Sequence, residues 1–393
     1  MNKTLKYLDK PLLFISFLLF IFGLIMVFSA SNVTAYMKYA ASPYNYFIKQ
    51  GLFLLAGIIL FLIMIRFNTK FYGIISWILM IAMLSSLVAL LVVGQAKNQA
   101  VSWFEIAGFT IQPSEFVKVV SIIWLANYYE EKKDKLSSWI VTLFPILVCM
   151  IVAALIFLQP DLGTTIIYVV LVALIFFSEP IPKNMKIKLV LGVMGIALIG
   201  LVALNLSGKK LILERQLERF NFLRPCDRLL DDGNQVCNGY IAINNGGVWG
   251  KGLGNSTQKY LYLPEPYTDF IFTIMVEELG CVVGVILILF YMFILYRILV
   301  IGRESYTNRG CTICYGVFLY ISLHIFVNLL GILGLIPMTG VPLPFMSYGG
   351  SFTICLIAAL TAVERVNIET GIRNNLKTEV PPKIKKKRKV KTT

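Results

Sequence analysis

The chain has 393 residues, of which 58% are apolar and only 15% charged. A soluble domain carries roughly a quarter of its residues as charges, so this composition excludes a water-soluble globular protein and points into lipid. The net charge of +15 sits in short loops and one tail, not on a face interleaved with stacking aromatics, which excludes nucleic acid as the partner.

A membrane-spanning helix needs about 20 apolar residues, and its backbone groups pair within the segment. The long uninterrupted apolar runs therefore read as helices, because barrel strands would be short and alternating. The expected class is all-α and polytopic, with spans near 11–29, 47–65, 71–93, 114–128, 139–158, 165–178, 187–206, 270–297, 311–336 and 352–366. Lys3, Lys6 and Lys10 precede the first run; it is too long for a signal-peptide core and more spans follow, so it reads as an uncleaved first helix. After the even-numbered spans come Arg66 and Lys70, then Lys132, Lys133 and Lys135, then Lys183, Lys186 and Lys188, then Arg297, Arg303 and Arg309. The positive-inside rule places these loops and both termini in the cytoplasm. Residues 1–372 form the expected transmembrane domain; 373–393 form a polybasic tail, read either as a strip held by anionic lipid or as a disordered anchor.

Four segments then face outward: 94–113, 159–164, the long loop 207–269 between spans seven and eight, and 337–351. They hold most of the unusual chemistry, including Trp103 and several Gly/Pro breaks of a kind tolerated at membrane depth only where backbone is buried in protein or lines a wet cavity. Gly250-Lys251-Gly252-Leu253-Gly254 lacks nucleotide-loop spacing and is read as tight turns or close approach to a polar ligand. Cys226 and Cys237 share the long outward loop, where a disulfide and two free thiols are both open.

Charges within spans are candidates for function. Glu115 and Lys118 lie three apart on one helical face and can neutralise each other, or Lys118 can hold an anion. Asp161 is read as a partner for Lys118 or as a cap on Gly163-Thr164. Glu277 and Glu278 are expected to make structural hydrogen bonds, and His324 to be an interhelical hydrogen-bonding group. Pro266 suits a first helical turn, so Asp269 is expected within that turn near the outer surface. It reads as an acid favoured by the helix dipole or as a general base on a rigid element.

Five runs carry a family resemblance: Gln112-Pro113-Ser114-Glu115-Phe116-x-Lys118, Gln159-Pro160-Asp161-Leu162-Gly163-Thr164, Gly252-Leu253-Gly254-Asn255-Ser256-x-Gln258-Lys259, Leu263-Pro264-Glu265-x-x-Thr268-Asp269-Phe270 and Pro342-x-Pro344-x-x-Ser347-Tyr348-Gly349-Gly350-Ser351. Together, and in this order, they resemble the signature series of the SEDS family of peptidoglycan glycosyltransferases, and the Asn-Ser-x-Gln-Lys run resembles the FtsW branch more than the RodA branch. The resemblance implies a ten-helix enzyme of the bacterial cell membrane that polymerises lipid II at the division septum. It also implies a class B penicillin-binding protein as partner, alongside other divisome proteins. It places the catalytic aspartate at Asp269 and polar cavity residues at Glu115, Lys118, Asp161, Lys259, Glu265 and Ser347. Trp103 joins this set, although Ser102 stands where the family usually has a basic residue. Departure of the lipid-linked diphosphate calls for cations such as Lys118, Lys259 or Arg219, and for a divalent cation (Mg or Mn) if one is used; no metal-ligand spacing and no other cofactor are expected. A lipid II flippase is the competing class, and it would need polar residues on both leaflet sides.

Overall fold

Asp9 and Pro11 open the first helix. The Asp9 carboxylate accepts a hydrogen bond from Leu12 N at 2.9 Å, pairing one of the amides that a helix start leaves without a partner, and proline's fixed φ suits that turn. In this computed structural model, residues 6–93, 95–97, 100–106, 108–192, 225–227 and 233–379 are described. The helices are α1 (Lys10–Tyr39), α2 (Asn45–Met64), α3 (Thr69–Val93), α4 (Pro113–Glu131), α5 (Trp139–Phe157), α6 (Leu162–Ser178), α7 (described over 183–192), α8 (Gly233–Gly246), α9 (Ile271–Glu304), α10 (Asn308–Ile332) and α11 (Gly350–Glu379).

Among the described residues, seven helices are long and apolar enough to cross a membrane: α1, α2, α3, α5, α9, α10 and α11. Helix α6 is apolar but shorter, and α4 carries Glu115 and Lys118 near its start. Of the expected span 187–206, only the first residues are described, and Arg219 lies outside the described residues.

The interior is built on α4, α10 and α11. Helix α4 is buried from Val117 through Tyr129 and packs against α3, α10 and α11. Helix α2, by contrast, buries only Gln50 and Gly57 and turns Ile48, Leu52, Leu55, Ile58 and Ile59 outward. An apolar exterior around a core with embedded charges is the pattern of a protein solvated by hydrocarbon.

One segment departs from the sequence expectation. Residues 95–111, expected as an outward loop, form a small antiparallel sheet of β1 (Gln95–Lys97), β2 (Ala100–Ile106) and β3 (Phe109–Ile111). Phe104 pairs with Ile111 and Ile106 with Phe109. The β-favouring residues Val101, Trp103, Phe104 and Ile106 and the turn at Gly108 (φ 78°) account for it.

The glycine run, expected as tight turns or close approach to a polar ligand, takes positive φ at Gly250, Gly252 and Gly254 and lies against backbone. Helix α9 is broken at Gly280 (φ 85°, ψ 167°), and the chain following α8 fills the break. Lys251 N donates to Glu277 O at 3.0 Å, Gly252 N to Glu278 O at 2.8 Å, and Cys281 N to Gly247 O at 2.9 Å. A Cβ at Gly250 would stand 2.3 Å from Glu278 O, and one at Gly280 would stand 2.2 Å from Val248 O. Side chains are excluded at both positions, and the carbonyls freed by the kink regain donors.

Cys226 and Cys237 are joined by a disulfide that ties residues 225–227 to α8. Where α1 begins, beside α11, Arg297 pairs with Asp9, Asp9 N donates to Glu364 at 2.9 Å, and Asn367 donates to Tyr7 O at 2.9 Å.

Candidate active site

Asp269 stands ahead of α9, not in its first turn: the helix begins at Ile271 with Phe270 as N-cap. The difference arises because residues 259–270 form consecutive turns, with Leu263 N bonded to Gln258 O and Thr268 N to Glu265 O. This turn segment is held from two sides. Ser347 Oγ donates to Thr268 O at 2.6 Å and accepts from Leu343 N at 2.8 Å, and Tyr348 N donates to Tyr267 O at 2.9 Å. From below, Asn328 of α10 donates to Asp269 O at 2.9 Å and to Val341 O at 2.8 Å. Tyr46 and Tyr267 share a hydroxyl contact of 3.1 Å beside Tyr348.

The Asp269 carboxyl is half-buried and borders a small recess with Asn328, Thr339 and Gly340. Burial, and then the charge of Glu265, push its pKa up to about 7, with the Thr268 hydroxyl opposing the shift. A carboxylate held near neutrality on a fixed turn can take a proton from a hydroxyl and hold it. Glu265 itself pairs with Lys38 at 3.5 Å in a partly exposed bridge.

The other expected site residues have defined partners. Lys118 Nζ bonds Glu115 at 2.7 Å and His324 Nε2 at 2.9 Å, wholly buried, and stands 5.6 Å from the centre of the Tyr320 ring. Asp161 caps α6 by accepting from Thr164 N at 3.0 Å and also accepts from Gln112 Nε2 at 3.2 Å; its bond is to Gln112, not to Lys118. Lys259 is buried and bonds Glu278 at 3.0 Å and Gly254 O at 2.6 Å. Glu277 gathers Thr257 Oγ1 at 2.7 Å, Gln258 N at 3.2 Å and Lys251 Nζ at 3.2 Å. Trp103 lies on β2, half-buried, next to Ser102, whose hydroxyl donates to Gln159 O at 3.4 Å.

The structure thus gathers Asp269, Glu265 and Ser347 at one turn. Lys118 with Glu115, and Lys259 with Glu278, are separate buried pairs. Asn328 and Gly340 were not among the expected site residues. A polar amide one turn from His324 in an apolar run was the available signal for Asn328. Among the described residues, no group of three or more His, Cys, Asp and Glu converges to hold a metal ion.

Fold and site together define a multi-pass helical membrane protein with an acid of raised pKa, Asp269, on a turn that α10 and the 341–348 loop hold in place. The comparisons with known proteins agree with that class. Residues 10–371 match the cell cycle protein family of FtsW, RodA and SpoVE, and the chain belongs to that family. It is 36% identical to the probable peptidoglycan glycosyltransferase FtsW of Bacillus subtilis, over all of this chain and 99% of the relative. It is 34% identical to stage V sporulation protein E of the same organism, over 91% of this chain and 96% of that one. Among solved structures it shares its fold with a chain of a peptidoglycan synthase complex that coordinates polymerization and crosslinking (TM-score 0.73, 24% identity, 92% of this chain and 98% of the other). It also shares it with the rod shape determining protein RodA of Thermus thermophilus (TM-score 0.65, 24% identity, 92% and 97%).

Proposed function

We propose that this protein is a peptidoglycan glycosyltransferase that polymerises lipid II into glycan strands during septal wall synthesis, with Asp269 as the general base. The observation that carries the reading is the Asp269 carboxyl, whose pKa is pushed up to about 7 at a recess between α10 and the 337–349 loop. A diphosphate leaves without needing an acid, so the demand on the protein is to remove the proton from the attacking sugar hydroxyl. One base is enough for that step, and single displacement inverts the anomeric carbon.

Leaving-group charge needs a cation. Lys118 and Lys259 already neutralise Glu115 and Glu278, so a diphosphate would have to compete with a carboxylate for either. Lys118, Lys259 and Arg219, the last outside the described residues, remain the proposed contacts. The ten-span topology with both termini cytoplasmic, the class B penicillin-binding protein partner and the septal location belong to the same reading. The homology to a probable FtsW and the fold shared with a synthase complex support it.

The test uses purified protein with its transpeptidase partner and labelled lipid II, scored for glycan chains and for transfer between leaflets. Asp269→Asn should remain folded and partner-bound yet make no chains. Undiminished polymerisation by that variant sinks the general base, and leaflet transfer without chains favours a flippase.

A further inference from the structure

Helix α1 is 30 residues long, about 45 Å at the usual rise, whereas the hydrocarbon core of a bilayer is about 30 Å thick. Its last turn carries the charge of Lys38, so that end stands past the hydrocarbon and holds Tyr39 there. Four tyrosines from four parts of the chain meet at this level: Tyr39 of α1, Tyr46 of α2, Tyr267 of the turn that carries Asp269, and Tyr348 of the loop before α11. Ring centres are 5.8 Å apart between Tyr267 and Tyr348, 5.0 Å between Tyr348 and Tyr46, and 6.5 Å between Tyr46 and Tyr39. Exposure grows in the same order, from buried Tyr267 through half-buried Tyr348 and Tyr46 to Tyr39, which is 47% exposed. The row begins at the candidate active site, because Tyr267 lies two residues before Asp269 and its carbonyl accepts from Tyr348 N.

A charge pair edges the exposed end. Lys38 Nζ stands 5.3 Å from the centre of the Tyr39 ring and 3.5 Å from Glu265, with both side chains partly exposed. A bridge so open to water contributes little to stability, so both groups can turn toward a ligand. Phenol rings edged by an amine and a carboxylate suit a saccharide chain. The C–H face of a pyranose is apolar and packs on a ring face, while its hydroxyls bond phenols, Lys38 and Glu265. An interfacial tyrosine belt is the plainer reading. Belt rings turn to lipid, however, whereas these contact one another and the turn that carries Asp269.

We propose that the row from Tyr348 through Tyr46 to Tyr39 binds the glycan strand already made and leads it away from Asp269. The proposal rests on the polymerase reading, and it concerns the finished strand, not the sugars that react. Tyr39, Tyr46 and Tyr348 supply ring surface, and Lys38 and Glu265 hold the polar rim.

The test measures binding of a lipid-free octasaccharide, cut from product chains, to the full chain in complex with its transpeptidase partner. Tyr39→Ala should weaken that binding about tenfold and shorten the chains made. Tyr39→Phe keeps the ring and should stay within about twofold. Tyr36→Ala alters an exposed tyrosine of the same helix end that lies outside the row, and it should bind like the unaltered chain. No loss in Tyr39→Ala, or equal loss in Tyr36→Ala and Tyr39→Ala, overturns the proposal. So does octasaccharide binding that the protein shows alone and loses in the complex, since the row is then covered by the partner. Asp269→Asn separates the two levels, because it should bind the octasaccharide normally while making no chains. Chains made by Asp269→Asn remove the base reading, whereas octasaccharide binding indifferent to Tyr39→Ala, with Asp269→Asn inactive, removes only the strand site.

Discussion

At Asp269, one proton links activity to stability. A base must be ionised, so with a pKa raised to about 7 the turnover rate should climb as pH rises through about 7 and level off above it. Initial rates of chain synthesis between pH 5.5 and 8.5 would read this directly; a rate independent of pH in that window would contradict it. Stability runs the other way. Burial raises the folded-state pKa above the unfolded value of about 3.9, so the folded chain binds the proton more tightly, and the resulting stability is lost as pH rises from about 4 through about 7. Asp269→Asn should thus be near neutral in stability at pH 4. At pH 8 it should be stabilising by about 1–3 kcal/mol, allowing for partial solvent screening. Thermal unfolding in detergent at the two pH values checks the difference. Beside it, Gly340 has φ 69°, and a Cβ there would stand 3.4 Å from Asp269 Oδ2. Gly340→Ala should cost about 1 kcal/mol through its backbone and slow chain synthesis by crowding the carboxylate, measured as kcat at saturating lipid II. Asp269 could be singled out in the sequence as an acid ahead of an apolar run, and the family resemblance gave it its expected role. Asn328 could not, because nothing in a single sequence says which face of α10 meets a loop some ten residues further on.

The elements that hold Asp269 depend on buried ion pairs that sequence spacing only half disclosed. Glu115 and Lys118 are three apart on one helix, so their contact could be read directly. Lys259 and Glu278 lie on different elements, and only the tertiary fold brings them together. The glycine run could be read as turns, yet its partner, the backbone of a kinked helix, required the tertiary fold. The Lys259–Glu278 bridge also reaches α1, because Ser29 Oγ donates to Glu278 at 2.7 Å. Lys259→Met would leave that carboxylate buried and without its cation, a loss of about 3–5 kcal/mol. Adding Glu278→Gln to Lys259→Met removes the stranded charge while keeping an acceptor for Ser29, so it should recover a large part of the stability. Thermal midpoints of the two variants form the comparison. Equal destabilisation by both would mean that the bridge acts through packing rather than charge.

For the whole molecule, composition alone set the lipid-facing class, because 58% apolar residues leave no alternative solvent. It could not reveal the small sheet at 95–111, whose strands are too short to stand apart from loop, nor that α4 would sit buried among other helices. Sidedness rests on loop charge. In the proposed orientation the segments bearing Arg66, Lys132, Lys183 and Arg303 lie inside, which would set Asp269, the disulfide and the 247–263 segment outside, where lipid II would be polymerised. Two exposed positions test this. Trp249 is 81% exposed beside the break in α9, and Arg303 is exposed at the far end of the same helix. In a chain whose exposed Cys281 and Cys311 are first replaced by serine, Trp249→Cys should react with a membrane-impermeant maleimide on intact cells. Arg303→Cys should react only after permeabilisation. The reverse pattern would put Asp269 on the cytoplasmic face and remove the outward polymerase, whereas the expected pattern would place the carboxylate on the outer face, as the proposed polymerase requires.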